Sequence, residues 1–185
     1  MKSLLAPLAL SIVLITPNLA HSADWTPAFE YLEQGKTGDD GVLIDKLMSN
    51  IFVDDIHSNN YKKINPLTKY AQKGNYPIQA PYRADLSPAK VYKNPNQDIV
   101  LQAIIPLKNA TLYGLPISEF YYEYYCFECG GVGFGVKFAP MTNAQYRHLN
   151  RHIKFSTEDN VCDNETSASF SRGKEGTYLH LHIGC

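Results

Sequence analysis

Two cysteines spaced as C-x-x-C, Cys126 and Cys129, are the first residues in this chain whose spacing could support chemistry; they lie in the stretch YYEYYCFECGG. This spacing is typical of a thiol redox centre, half of a metal site or a structural disulfide. In redox enzymes the motif opens a helix whose N-terminus favours the thiolate. Here two glycines and an alternating strand pattern follow, and Glu128 adds a negative charge that disfavours a thiolate. The sequence therefore favours a structural disulfide over redox catalysis.

The chain has four cysteines, and the other two are Cys162 and Cys185. An even number of cysteines in an exported chain predicts two disulfides, for which three pairings are possible. A hairpin predicted at the end of the chain places Cys162 opposite Cys185, within disulfide range. We therefore expect the pairs Cys162–Cys185 and Cys126–Cys129, with crossed pairings as the alternative.

Four histidines form two pairs with spacings that suit metal ligands. His148 and His152 lie four residues apart in a predicted helix, and His180 and His182 lie two apart in a predicted strand, so each pair shares a face. The stretch H-L-N-R-H lacks the glutamate that metal-bound water chemistry requires, and both pairs face away from the apolar stripes of their elements. The sequence favours solvated polar faces and no cofactor. A periplasmic metal-binding protein that uses all four histidines is the alternative.

A Ser–His–acid arrangement can be drawn on the predicted terminal hairpin, where Ser167 would face His180 and Glu165 would face His182. The sequence has no G-x-S-x-G nucleophile elbow and no evident oxyanion hole. The stretch G-G-V-G-F-G lies within a strand pattern and opens no helix, which argues against a dinucleotide site. We therefore expect a non-catalytic protein, with a hydrolase of unrecognised site as a further alternative.

The N-terminus resembles a secretory leader. Residues 4–15 form an apolar run that is too short for a membrane span, and Ala20 and Ser22 supply a small-x-small cleavage pattern. We expect cleavage after Ser22, which removes residues 1–22; cleavage after Ala23 and retention as a membrane anchor are the alternatives. The sequence thus predicts an exported protein, periplasmic or extracellular, with no membrane span after the leader is removed.

Composition narrows the class of partner. The 17 basic and 18 acidic residues nearly balance, which argues against nucleic acid or anionic membrane, since both attract a basic patch. Tyrosine outnumbers phenylalanine, 13 to 8, and tyrosine is enriched at binding surfaces. We expect a protein partner, and its candidate contacts are Tyr121, Tyr122, Glu123 and Tyr124, together with residues 57–97.

Two helices are predicted before the proline-rich segment. Thr26 is the expected N-cap of the first helix, with Pro27 at the first helical position. Apolar residues at helical spacing over residues 43–51 predict the second helix. Prolines interrupt residues 57–97, which we expect to form a mostly irregular wrap with short helical pieces; a linker between two domains is the alternative.

Strand patterns begin at Asp98. In residues 131–138 the large apolar side chains share one face, and three glycines share the other, a bare face that tyrosine rings, a ligand or a partner could fill. Thr142 and Gln145 predict a capping box for a helix over residues 141–153.

The terminal hairpin is predicted with Ser171 facing Gly176 and Ala168 facing Leu179, which places its apolar residues on one face.

The predicted fold class is α+β: an antiparallel sheet with an inserted helix, ββαββ-like in its C-terminal half, preceded by N-terminal helices and the proline-rich wrap. Residues 23–185 are expected to form one domain, with a helical and irregular part over 23–97 and a sheet-rich part over 98–185. The most concrete function that this supports is a periplasmic immunity or inhibitor protein that neutralises a toxin or a cell-wall hydrolase.

Overall fold

The computed structural model describes residues 22–36, 41–57, 64–94, 99–125, 131–156, 158–159 and 165–184. The predicted leader lies outside the described residues except for Ser22. All four cysteines also lie outside them, so both predicted disulfides stay predictions.

The described residues form a mixed α+β structure dominated by an antiparallel sheet, as the sequence predicts for the fold class. The strands are β1 (Lys90–Lys93), β2 (Ile99–Pro106), β3 (Thr111–Leu112), β4 (Leu115–Tyr125), β5 (Gly131–Phe138), β6 (Glu158–Asp159), β7 (Glu165–Gly173) and β8 (Gly176–Gly184). Their order across the sheet is β1-β2-β4-β5-β8-β7-β6. The short strand β3 lies outside this order and pairs with β4. The long hairpins β4–β5 and β7–β8 therefore meet in the middle of the sheet, where β5 pairs with β8.

The helices are short. They are α1 (Thr26–Phe29), α2 (Val42–Met48), α3 (Lys69–Lys73), α4 (Tyr82–Asp85) and α5 (Asn143–His152), with 3-10 turns at Glu30–Leu32 and Asp54–His57. Within the described ranges, none of these helices is long and apolar enough to cross a membrane.

The core lies between these helices and one face of the sheet. Phe29 of α1 and Leu47 of α2 are fully buried in the same apolar cluster as Leu101 of β2, Phe134 of β5 and Leu179 of β8. Burial of this apolar surface is the main stabilising contribution to the fold. Successive side chains of a strand point to opposite faces of the sheet. One face therefore packs in the core, and the side chains of the other face point away from it.

Trp25, the single tryptophan of the chain, is fully buried in this core. Its indole Nε1 donates a hydrogen bond to Oδ2 of the buried Asp85 at 3.3 Å. Burial raises the pKa of the Asp85 carboxyl, although the bond from Trp25 opposes this shift. This contact fixes α4 against the N-terminal segment.

The N-cap predicted at Thr26 is wrong by one residue. Trp25 occupies the N-cap position, and α1 starts at Thr26, with Pro27 still in its first turn. Oγ1 of Thr26 instead accepts a hydrogen bond from the backbone N–H of Tyr113 at 2.7 Å, while Oδ1 of Asp24 accepts from the N–H of Thr26. The threonine hydroxyl therefore joins two distant parts of the chain.

The proline-rich segment 57–97 is predicted to form an irregular wrap with short helical pieces. The structure describes His57 and residues 64–94 of it, and these contain α3, α4 and one strand that the sequence patterns missed. Strand β1 pairs antiparallel with β2, with Tyr92 opposite Gln102. Its sequence KVYK lacks an apolar run because β1 is an edge strand with mostly exposed side chains. Edge strands of this kind are poorly signalled by hydrophobicity.

The capping box predicted for α5 is confirmed. Oγ1 of Thr142 accepts a hydrogen bond from the N–H of Gln145, and Oε1 of Gln145 accepts one from the N–H of Thr142. Leu149 is the fully buried residue of this helix, and the hydroxyl of Tyr146 donates to the carbonyl oxygen of Phe170. The helix is thereby attached to the core side of β7.

The hairpin register predicted at the end of the chain is wrong by two residues. Ser171 faces Tyr178 rather than Gly176, and Ala168 faces Leu181 rather than Leu179. The strands run further toward each other than predicted, because Gly173 pairs with Gly176 and leaves a two-residue turn. The register argument for the pair Cys162–Cys185 therefore no longer applies. A shift of two keeps every side chain on its predicted face.

Candidate functional site

The face of the sheet opposite the core carries a band of polar and aromatic residues, here called the polar face. Its central members are Gln102, Tyr121, Glu123, Tyr125, Gly133, Gly135, Tyr178, His180 and His182, and the exposed Ser167, Ser169 and Ser171 lie at its β7 side.

Gly135 is the position where a tyrosine covers the glycine strand. It lies between Tyr121 of β4 and His180 of β8. A Cβ atom at Gly135 would lie 2.7 Å from the Tyr121 hydroxyl oxygen and would overlap the carbonyl oxygen of Leu179. Only glycine therefore leaves room for Tyr121, which is 6% exposed, and the tyrosine fills the bare face that the sequence predicts.

The Tyr121 hydroxyl connects β4 to β8 through two close polar contacts. It donates to the carbonyl oxygen of Leu179 at 3.3 Å and lies 2.6 Å from Nδ1 of His180. Burial, followed by the nearby Glu123, raises the pKa of Tyr121, so the hydroxyl keeps its proton at neutral pH. The two rings lie nearly parallel, with centroids 5.8 Å apart.

Glu123 lies over the second glycine of the strand, Gly133. A Cβ atom there would be 2.8 Å from Oε2 of Glu123. The carboxylate is 7% exposed; its Oε1 accepts from Nε2 of Gln102 at 2.8 Å, and its Oε2 accepts from the hydroxyl of Tyr125 at 3.4 Å. Hydrogen bonds of this kind are what allow a carboxylate to be buried.

Gln102 is a site residue that sequence reasoning missed. It is the single polar side chain in the β2 stretch IVLQAII. A polar residue that interrupts an apolar run on the face away from the core was the available signal, because Leu101 and Ala103 on either side are fully buried.

His180 is held in its neutral form. Burial lowers the pKa of its imidazole; the negative charge of Glu123 opposes that shift, and His182 adds to it. The ring of His182 contacts Tyr125 edge-on, with centroids 5.1 Å apart. Both histidines thus belong to one packed row of rings and carboxylate rather than to a solvated face.

These residues border a cleft of about 230 Å³, lined by Gln102, Tyr121, Glu123, Ser171, Glu175, Tyr178 and His180. Two of its lining side chains are carboxylates, Glu123 at its buried side and Glu175 in the exposed turn between β7 and β8. Beyond Tyr178, Nζ of Lys137 lies 5.6 Å from the tyrosine ring centroid and 3.8 Å from Oε1 of Glu119. The cleft is therefore acidic and aromatic.

The four predicted contact residues do not share one surface. Strand alternation places Tyr121 and Glu123 on the polar face, whereas Tyr122 and Tyr124 lie on the core side and pack against the apolar cluster. The ring of Tyr122 contacts Phe52, with centroids 5.5 Å apart, and burial raises the pKa of Tyr122 to about 12.

The two histidine pairs predicted as an alternative metal site are on opposite sides of the sheet. His148 and His152 stack on α5, with ring centroids 4.1 Å apart, and α5 packs on the core side through Leu149. His180 and His182 lie on the polar face. The four-histidine site is therefore not formed, and across the described ranges no three His, Cys, Asp or Glu side chains gather as metal ligands.

The Ser–His–acid pairs drawn from the sequence are also not formed. Ser169, not Ser167, lies opposite His180, and Ser167 lies opposite His182. The partners of both histidines change because the hairpin register differs by two residues from the predicted one. The side chain of Glu165 is not among those that the structure describes.

No protein-family model, curated protein or solved structure matches this chain.

Proposed function

We propose that this chain is an exported, non-catalytic binding protein, most concretely a periplasmic immunity or inhibitor protein that neutralises a toxin or a cell-wall hydrolase. The polar face is its contact surface. The scaffold under that surface is the ββαββ-like C-terminal half with its inserted helix, supported by the proline-rich wrap.

The observation that carries the proposal is the fixed position of Glu123 and Tyr121 on the polar face. Glu123 is held by Gln102, and Tyr121 is held by Leu179 and His180. Contacts made by side chains that are already immobilised lose little conformational entropy on binding, which favours tight association. Tyrosine is also enriched among the few residues that supply most of the binding energy of protein interfaces.

The protonation of Tyr121 supports binding rather than catalysis. A catalytic nucleophile is activated by an adjacent base or by a lowered pKa. Although His180 lies next to the Tyr121 hydroxyl, burial raises the pKa of Tyr121, which makes it a poor nucleophile at neutral pH. The contact between these two side chains serves to fix them.

Export is supported by the leader pattern of residues 1–22. A protein that acts in the same compartment as secreted toxins and wall hydrolases needs such a leader.

A matched pair of surface tyrosines provides the test. Tyr92 on the edge strand β1 is 47% exposed and lies beside Gln102 of the polar face, whereas Tyr70 on α3 is 46% exposed and lies outside the polar face. The protein is expressed with its leader, and proteins captured from the periplasmic fraction are identified and purified. Each is then titrated by calorimetry with wild type and with Tyr92→Ala, Tyr178→Ala and Tyr70→Ala.

The expected result is one partner whose hydrolytic or toxic activity is inhibited by wild-type protein at one-to-one stoichiometry. The substitutions Tyr92→Ala and Tyr178→Ala weaken this association, and Tyr70→Ala leaves it unchanged. Equal affinity of all three variants, or captured proteins whose activity is unaffected, would exclude the polar face as an inhibitory surface.

A further inference from the structure

We propose that the cleft on the polar face receives one cationic side chain, an arginine or a lysine, from the partner protein. This inference rests on the proposed function, because it identifies the chemistry of the partner group that enters the contact surface.

The first reason is charge. Glu123 and Glu175 both line the cleft, and no lysine or arginine is among its lining residues within the described part of the chain. The imidazole of His180 does not cancel their charge at neutral pH, because burial lowers its pKa. A guanidinium or ammonium group thus enters a site with two uncompensated carboxylates.

The second reason is the remaining hydrogen-bonding capacity of Glu123. Each carboxylate oxygen can accept about two hydrogen bonds, and Gln102 and Tyr125 each supply one of these. Among the residues that the structure describes, no other side chain donates to Glu123, so one acceptor position on each oxygen is left for a donor that enters the cleft. Charge-assisted bonds from arginine or lysine to a carboxylate are stronger than neutral ones.

The third reason is the pair of tyrosine rings that lines the cleft, because one of these rings already contacts a lysine of this chain. The rings of Tyr121 and Tyr178 meet edge to face, with centroids 6.2 Å apart. The ammonium group of Lys137 lies 5.6 Å from the Tyr178 centroid and is balanced by Glu119. This contact shows that the Tyr178 ring is positioned for cation–π attraction, and the cleft side offers the same chemistry to an incoming cation.

The size of the cleft points to a single side chain. Its volume of about 230 Å³ lies below the roughly 300–1,000 Å³ typical of pockets for drug-sized ligands. A partner loop can insert one long side chain whose head group reaches Glu123.

The probes are three capped tripeptides, acetyl-Gly-Xaa-Gly-amide, with arginine, lysine or citrulline as the central residue. Citrulline keeps the shape and most donors of arginine but carries no charge. Each is titrated into isotope-labelled wild-type protein, and chemical-shift changes at Tyr121, Tyr178 and His180 are followed. We expect saturable changes at these residues with arginine or lysine, and binding weaker by about tenfold or more with citrulline.

Three variants localise the binding. Glu123→Gln removes the charge and keeps the side-chain shape, with one acceptor oxygen in place of two. Glu175→Gln removes the charge in the exposed turn, and Asp45→Asn removes an exposed acid of α2 as the control. We expect affinity for the cationic peptides to fall about tenfold for Glu123→Gln and severalfold for Glu175→Gln, and to stay unchanged for Asp45→Asn. If Glu123→Gln does not fold, Glu175→Gln carries the test, since that side chain is exposed.

The inference is overturned if the arginine and lysine peptides bind no better than the citrulline peptide, or if all three variants bind alike. That result is separate from a failure of the proposed function. If a captured partner loses affinity for the Tyr92→Ala variant but places an acidic or apolar side chain in the cleft, the proposed function is retained and the inference of a cationic side chain is rejected.

Discussion

The close approach of Tyr121 to the backbone of β5 makes Gly135→Ala the most informative single change. An added methyl group would overlap the carbonyl oxygen of Leu179, which is part of the neighbouring strand β8, and would lie 2.7 Å from the Tyr121 hydroxyl. The first contact involves backbone and cannot be relieved by rotating a side chain. Strands β5 and β8 would have to separate locally, and Tyr121 would have to leave its site.

The expected cost follows from two destabilising contributions and one that opposes them. Overfilling a packed site costs about 1–3 kcal/mol, and losing the hydrogen bond that Tyr121 donates costs about 1 kcal/mol more. Replacing glycine by alanine also restricts the unfolded chain, which stabilises by about 0.4–1 kcal/mol. The net loss in free energy of unfolding is therefore about 2 kcal/mol, or about 4–8 °C in Tm for a chain of this size.

Urea unfolding followed by tryptophan fluorescence measures this loss. Trp25 is the single tryptophan and is fully buried, so its emission reports exposure of the core. With an m value of about 1–3 kcal/mol/M, we expect the urea midpoint of Gly135→Ala to fall by about 1 M. The matched control is Gly173→Ala in β7, where an added Cβ meets no atom within 4 Å; this variant should be as stable as wild type or slightly more stable.

The reasoning is refuted if Gly135→Ala unfolds at the same urea concentration as Gly173→Ala. In that case the glycine would not be required by Tyr121, and the polar face would not be built as described.

Three further predictions concern individual contacts. Burial lowers the pKa of His180 below its unfolded value of about 6.5, so the unfolded chain takes up the proton first as the pH falls. The contribution of His180 to the free energy of unfolding is therefore constant above about pH 6.5 and is lost below it, and urea midpoints should fall less for His180→Asn than for wild type across this range. Tyr121→Phe should lower the free energy of unfolding by about 1 kcal/mol and change the NMR titration of His180, and an unaltered titration would contradict the contact between them. Thr142→Ala should destabilise by about 1 kcal/mol in thermal unfolding, whereas Thr142→Ser should not, and equal losses in both would show that the capping hydroxyl is not what matters.

The faces of the sheet were predictable from the sequence, because side-chain alternation depends only on residue parity. The glycines of β5 and the histidines of β8 lie on the polar face as their spacing indicates. The capping box of α5 was predictable for a similar reason, since Thr142 and Gln145 interact within a single turn. Both features are local, and no distant residue is needed to specify them.

The features that the sequence did not reveal depend on contacts between distant segments. The hydroxyl of Thr26 accepts a hydrogen bond from Tyr113 instead of capping its own helix, and the helix starts one residue earlier than its local pattern suggests. Gln102 and Glu123 become a site only because β2 and β4 are neighbours in register. The edge strand β1 has little hydrophobic signal because, apart from Val91, its side chains are exposed.

The tight connection between β7 and β8 has a consequence for how the lengths of related chains can vary. Two residues, Lys174 and Glu175, join the strands after the pair Gly173–Gly176. Insertion of one residue here would exchange the two faces of a strand, placing His180 in the core and Leu179 on the surface, unless a bulge absorbed it. Insertion of two would restore the original faces. Length changes at this turn should therefore be tolerated in even steps, and an odd change should appear only together with a compensating bulge.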